Sequence, residues 1–175
     1  MTDRALKENL HVTTRPPRKE DGAAIWRLIQ KSKPLDLNSS YLYVLLCHHF
    51  AETCVVAEVN GELAGFISAY HPPREADTLF IWQMAVSEAF RGQGLTRRMF
   101  KDLLTREANA AVRKIQATVS PSNAASLSVF RSIAENKKTG YVQEPLFSKN
   151  LFAEGSHEDE WLVRVGPLTP AKTLN

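Results

Sequence analysis

Apolar positions along the chain change period several times, and each change marks an element. His11-Val12-Thr13-Thr14 alternates in the manner of a short strand, which Pro16-Pro17 stop. Glu20 and Asp21 then stand in the first turn of a helix predicted to run to about Lys31, with Ile25, Leu28 and Ile29 as its apolar stripe. Ser32–Asp36 breaks the pattern. Asn38-Ser39-Ser40 offers capping side chains to a second helix reaching about Phe50, striped by Leu42, Leu45 and Leu46. Cys54–Val59 and Glu62–Tyr70 read as strands joined at Asn60-Gly61, a strong hairpin signal. Pro72–Ala76 is a loop and Leu79–Val86 a third strand. A helix carrying Leu95, Met99, Phe100, Leu103 and Leu104 follows, then a strand over Lys114–Val119 and a helix from Ala124 to about Ala134. Two strand candidates, near Val142–Phe152 and Glu160–Val165, flank the polar loop Ala153–Glu158.

The junction between the strand ending at Val86 and the helix opening at Leu95 carries the most chemistry. It reads Arg91-Gly92-Gln93-Gly94-Leu95-Thr96-Arg97. Two glycines one residue apart let backbone approach a ligand closely, and the helix N-terminus adds unpaired amides and the positive end of its dipole. An anion such as a pyrophosphate suits that spot; an ordinary strand-to-helix turn is the plainer alternative. Gly94 is not followed by Lys-Ser/Thr, so the turn is not a P-loop. The third glycine of a dinucleotide fingerprint would fall on Arg97, so that pattern fails too.

Composition narrows the classes. A chain of 175 residues suits one domain over 1–175, with 1–9 and 167–175 expected as flexible tails. A net charge of +3 without a long Lys/Arg run argues against a nucleic-acid partner. The apolar runs are strand-length, so no membrane span is expected, and the N-terminus lacks a leader's apolar core. Cys47 and Cys54 read as buried thiols in a reducing compartment, which makes the expected location cytoplasmic. No Cys/His spacing suggests a metal, and His48 and His49 point about 100° apart on their helix.

The glycine turn resembles the coenzyme A pyrophosphate motif of the GCN5-related N-acetyltransferases, Arg/Gln-x-x-Gly-x-Gly/Ala, except that Thr96 stands at the final position. Asn123-Ala-Ala-Ser126-Leu-Ser-Val-Phe130 resembles a later motif of the same family. There an Asn bonds the pantetheine arm and a Tyr often protonates the leaving thiolate. Phe130 replaces that Tyr and has no proton to give. Asn123 also suits a plain helix cap. The element order is that of the family, which implies an α/β fold with a mixed central sheet of about seven strands and helices on both faces. The resemblance implies acetyl-coenzyme A as co-substrate, held by Met84, Ala85, Val86, Arg91, Gly92, Gln93, Gly94, Leu95, Thr96, Arg97, Asn123, Ser126 and Phe130.

Three further stretches, Lys33–Tyr41, Ile81–Val86 and His157–Glu160, resemble the branch of that family that acetylates the side-chain amine of L-2,4-diaminobutyrate for ectoine biosynthesis. That resemblance implies a small diamino acid substrate and a homodimer. It points to Asp36, Leu37, Asn38, Ser40, Tyr41, Trp82, His157 and Glu158 as substrate residues. Carboxylates at Asp36 and Glu158 suit ammonium groups, and the Trp82 face suits a cation. Each has a plainer alternative: a turn for Asp36, a half-buried helix position for Tyr41, a core position for Trp82, a solvated acidic run for Glu158. A free amine with a pKa near ~10 arrives protonated, so a base or a water chain must take its proton before attack on the thioester. The strand from Leu79 to Val86 has no carboxylate, which leaves Glu158, Asp36 and His157 as catalytic candidates. A backbone N–H near Gln83–Met84 is the expected oxyanion donor. Acetylation of another amine (a polyamine, an aminoglycoside or a protein N-terminus) and a non-catalytic coenzyme A-binding module stay open.

Overall fold

The computed structural model describes residues 10–153 and 157–169. Seven strands form one mixed sheet: β1 (Val12–Arg15), β2 (Val55–Val59), β3 (Glu62–Tyr70), β4 (Thr78–Val86), β5 (Lys114–Val119), β6 (Gly140–Phe147) and β7 (Glu160–Gly166), in the order β1-β2-β3-β4-β5-β7-β6. Four α-helices accompany them: α1 (Gly22–Gln30), α2 (Ser40–His49), α3 (Leu95–Thr105) and α4 (Ala124–Lys137). The described residues pack as two compact units, one of 10–68 and 83–106, the other of 69–82 and 107 onward. Strand β3 passes from the first into the second after Ser68, and β4 returns after Trp82.

In the first unit β1, β2 and the start of β3 are antiparallel, and Asn60 and Gly61 both take positive φ at the hairpin, as that turn demands. Ile25, Leu28 and Ile29 of α1 pack with Tyr43, Leu46 and Cys47 of α2 over Val56, Phe66 and Ala85. The stripe of α2 is rotated from the expected one. Tyr43 and Cys47 are buried while Leu42 and Leu45 are only half-buried. Tyr43 turns inward because its ring meets Phe66 edge-on at 6.4 Å and its hydroxyl finds a buried partner, described below. Helix α3 buries Leu95, Met99, Phe100 and Leu103, close to its expected stripe. Cys47 and Cys54 are buried thiols, and burial pushes the Cys47 thiol up to about 12, which keeps it unreactive.

In the second unit, β4 pairs in parallel with β5 from Thr78–Lys114 to Ile81–Ala117. β5 and β6 each pair antiparallel with β7. The strand expected near Val142–Phe152 begins and ends earlier, at Gly140–Phe147. The remainder turns into a single 3-10 turn at Lys149–Leu151, capped by the Ser148 hydroxyl. The tail expected to fray from Pro167 is tied down at first. Leu168 is buried and its N–H donates to the Arg113 carbonyl at 2.7 Å, while the Thr139 hydroxyl donates to the Pro167 carbonyl. Residues 1–9 and 170–175 lie outside the described set.

One charged cluster ties the start of the first unit together. Arg15 donates to both carboxyl oxygens of Asp21 at 2.7 and 3.0 Å and through Nε to Glu58 at 3.0 Å. Burial alone would raise the Asp21 pKa, but the hydrogen bonds from Arg15 and the Arg18 N–H outweigh it and hold that carboxyl below its ordinary 3.8. The folded state therefore binds this proton less readily than the unfolded chain. The contribution is complete above about pH 3.8 and is lost as pH falls through the folded value. Urea unfolding between about pH 5 and pH 2 should show wild type losing more stability than Asp21→Asn, by at most about 1 kcal/mol for so solvent-screened a group.

Candidate active site

In the first unit the segment between α1 and α2 is held by its backbone. Ser32 closes α1 by donating its hydroxyl to the Leu28 carbonyl at 2.7 Å, and Ser39 caps α2 by accepting the Leu42 N–H. Between them, the Asp36 carbonyl accepts from Gln83 Nε2 at 2.8 Å, the Asn38 N–H donates to the Tyr43 hydroxyl at 3.4 Å, and the Asn38 carbonyl accepts from the Trp26 indole at 3.2 Å. The Tyr43 hydroxyl donates to Gln83 Oε1 at 3.1 Å. With the backbone anchored inward, Asp36, Leu37, Ser40 and Tyr41 stay exposed, Tyr41 at 72%. Trp26, Leu37, Asn38, Ser39 and Ser40 line an open depression of about 540 Å³. The expected residues Leu37, Asn38 and Ser40 thus meet around one hollow.

The end of β4 and the turn after it belong to the same unit. Met84 and Val86 are half-buried and Ala85 lies in the core. Gly92 and Gly94 take φ of +73° and +77°, and a Cβ built on either would meet nothing within 4 Å. Space therefore lies open beside both. The turn's long side chains fold back on their own loop, Arg91 Nε donating to the Val86 carbonyl and Gln93 Nε2 to the Ala89 carbonyl. Gly94 is the N-cap of α3 and has no side chain to satisfy the first amides of that helix. Thr96 and Arg97 follow in its first turn, Arg97 exposed, while the Leu95 side chain is buried, so Leu95 can offer an anion only its amide. This is an open, unpaired helix N-terminus, a place chemically suited to phosphate oxygens.

The expected oxyanion donor is a backbone N–H near Gln83–Met84. The Gln83 N–H is not open for an oxyanion, because it donates to the buried Ser68 hydroxyl at 3.1 Å.

The second unit carries the other candidates. Trp82 lies 42% exposed on β4. Ser120 and Ser122, just past β5, reach the acidic run: the Ser122 hydroxyl donates to Glu158 at 2.7 Å and the Ser120 hydroxyl to Glu160 at 3.0 Å. His157 stands with Nδ1 3.5 Å from Glu160 and its ring stacked on Phe152 at 4.3 Å. His157 and Glu158 are therefore placed by partners instead of lying in a merely solvated loop. Asn123 accepts the Ser126 N–H and caps α4, so its plainer role is filled, and Ser126 sits in the first turn that it caps. Phe130, also among the residues expected at the cofactor, is 2% exposed.

Sequence reasoning missed Gln83 as a side chain, together with Tyr43, Trp26, Ser120 and Ser122. A signal for Gln83 existed. It falls on the face of β4 shared by Leu79, Ile81 and Ala85, all buried, and a polar residue on an otherwise apolar face needs partners.

Comparison with known proteins adds the family. The acetyltransferase (GNAT) family model matches residues 22–134. The chain is 44% identical over 153 residues to an L-2,4-diaminobutyric acid acetyltransferase of Marinococcus halophilus, covering 87% of this chain and 88% of that protein. It is 46% identical over 157 residues to the protein of the same name from Shouchella clausii, covering 90% and 88%. Among solved structures it resembles a diaminobutyrate acetyltransferase from Paenibacillus lautus in complex with its substrate L-2,4-diaminobutyric acid and coenzyme A. That match has a TM-score of 0.89 and 40% identity over 94% of this chain and all of the other. Ard1 from Thermoplasma volcanium shares the fold at 21% identity, with a TM-score of 0.71 over 90% and 99% of the two chains. Seven strands in a mixed sheet, a glycine turn opening onto a bare helix N-terminus and a family match over more than half the length together place this chain in the acetyltransferase (GNAT) family.

Proposed function

We propose that this chain transfers the acetyl group of acetyl-coenzyme A to the side-chain amine of L-2,4-diaminobutyrate, giving the Nγ-acetyl product that ectoine biosynthesis uses. The observation that carries the reading is the 40% identity, over 94% of the chain, to an enzyme solved with that diamino acid and coenzyme A. The rival acceptors and the non-catalytic module lack any comparable support.

The residues fit the co-substrate. The open space beside Gly92 and Gly94 and the uncapped start of α3 suit a pyrophosphate, with Arg91 and Arg97 adding charge. Acetyl-coenzyme A supplies the activated acetyl thioester. Asp36, with Leu37, Asn38, Ser40 and Tyr41 beside it, is proposed to hold the α-ammonium and carboxylate of the diamino acid; Trp82 is proposed to face its cationic side. The far amine, once deprotonated, attacks the thioester carbonyl. The C–N bond forms, the C–S bond breaks and the thiolate leaves with the electron pair. Glu158 is proposed as the base, supported by the Ser122 hydroxyl that orients its carboxylate, with Asp36 and His157 as alternatives. Phe130 has no proton to donate, so the leaving thiolate takes one from water or from the amine's own ammonium.

We also propose a homodimer. Edge strand β6 and the turn after it leave Val142, Leu146, Phe147 and Leu151 exposed, an apolar surface that suits a second copy; sedimentation velocity reads the mass directly. No helix among the described residues is long and apolar enough to cross a membrane.

Gly94→Glu should abolish coenzyme A binding in a calorimetric titration while the thermal transition survives, because the new carboxylate occupies and repels the phosphate position. Unchanged affinity would remove the turn from the cofactor site. Glu158→Ala and Asp36→Ala should each lower kcat/KM for diaminobutyrate by roughly ten-fold to a hundred-fold, the value of one charge-assisted bond, with the KM for acetyl-coenzyme A nearly constant. If Glu158 is the base, kcat itself should fall in its variant.

Product analysis by two-dimensional NMR tests the whole reading. Nγ-acetyl product should dominate, and 2,3-diaminopropionate should react poorly, since its amine falls one methylene short of the thioester. Mostly Nα-acetyl product, or preference for a diamine without a carboxylate, would sink the assignment.

A further inference from the structure

Gln83 is 5% exposed, and its amide is used at both ends. Its Oε1 accepts the Tyr43 hydroxyl proton and its Nε2 donates to the Asp36 carbonyl. The direction of the amide is forced. The Tyr43 oxygen accepts the Asn38 N–H and its hydroxyl donates to Gln83 Oε1. The Asp36 carbonyl can only accept, so the Gln83 nitrogen must face it. The Gln83 N–H, meanwhile, is anchored on Ser68. Four hydrogen bonds, from the Trp26 indole, the Asn38 N–H, the Tyr43 hydroxyl and the Gln83 Nε2, link the run, and they clamp the backbone of Asp36–Asn38 to strand β4.

We infer that Gln83 is the positioning residue that sets selectivity for the acceptor amine: it never touches the substrate, but it fixes the segment that grips the diamino acid's α-carbon end. The inference rests on the proposed role of Asp36–Tyr41 in acceptor recognition. Its chemistry is specific to an amide. A carboxylate of the same shape accepts from Tyr43 but meets the Asp36 carbonyl as a second acceptor and pushes it away. The protonated acid, by contrast, donates to that carbonyl while its other oxygen still accepts from Tyr43. An apolar side chain offers neither bond at any pH.

The test is steady-state kinetics of Gln83→Glu, Gln83→Leu and wild type across pH, with the Nγ/Nα product ratio read by NMR. At about pH 9, Gln83→Glu should raise the KM for diaminobutyrate roughly ten-fold or more relative to wild type, with less than about a two-fold change for acetyl-coenzyme A. Approaching about pH 6, the variant-to-wild-type ratio should close to within roughly three-fold as the new carboxyl, whose pKa burial at this 5% exposed position raises, takes a proton. Gln83→Leu should keep its defect at both ends of the range, and both variants should release more Nα-acetyl product at high pH. A general packing defect moves both KM values together and shows no recovery at low pH. That result, or a KM for diaminobutyrate unchanged in both variants, overturns the inference. If the Gln83 variants do not fold, Tyr43→Phe decides: it removes one hydroxyl from the run, and the same split between the two KM values is expected, while wild-type values overturn the proposal. Failure of the substrate reading is separate, because it appears in wild type as turnover of some other amine and not of diaminobutyrate.

Discussion

A polar side chain taken off water must find its partners inside the protein, and the first unit is arranged around one such demand. Gln83 lies on a face of β4 that is otherwise apolar. Leaving either end of its amide unpaired there would cost about 1–3 kcal/mol, comparable to a large share of a domain's net stability. The cost is avoided by turning Tyr43 inward from α2 and drawing the Asp36 carbonyl onto Gln83. The rotation of α2, the anchoring of its preceding segment and the outward display of Asp36, Leu37 and Tyr41 all follow from satisfying that one group.

The glycine turn meets the opposite condition. The first amides of its helix are left without a capping side chain, at a surface where water or an anion can reach them. The Arg91 and Gln93 side chains bond the loop's own carbonyls, the N-cap position carries no side chain, and open space lies beside Gly92 and Gly94. Near β7 the acidic run is treated in a third way. Glu158 and Glu160 each accept a serine hydroxyl from the stretch just after β5, and His157 is held between Glu160 and the Phe152 ring. Buried amide, open amides and oriented carboxylates are three solutions to the same problem of where polar groups go.

Much of the fold was legible because it depends on local patterns. The strand Lys114–Val119, the start of α4 at Ala124 and the Asn60-Gly61 hairpin are written in alternation, capping and turn chemistry over a few residues each. The glycine turn was legible for the same reason, since its conformation and its bare helix start belong to adjacent residues. The resemblance of the Lys33–Tyr41 and His157–Glu160 stretches to known acetyltransferases named site residues without saying what holds them.

Tertiary structure decided the matters that depend on pairs far apart in the chain. Gln83 reaches Asp36 across 47 residues and Tyr43 across 40, and Ser122 reaches Glu158 across 36. No local period announces such pairs, and none announces that the Gln83 N–H donates to Ser68 or that Phe130 is buried. The sequence by itself determined the order of elements, the anion-suited turn and the family likeness, because steric and hydrogen-bonding preferences of neighbouring residues act without the rest of the protein. Which polar groups are used up and which stay available was decided only when distant strands and helices met, because a hydrogen bond is a property of two positions in space.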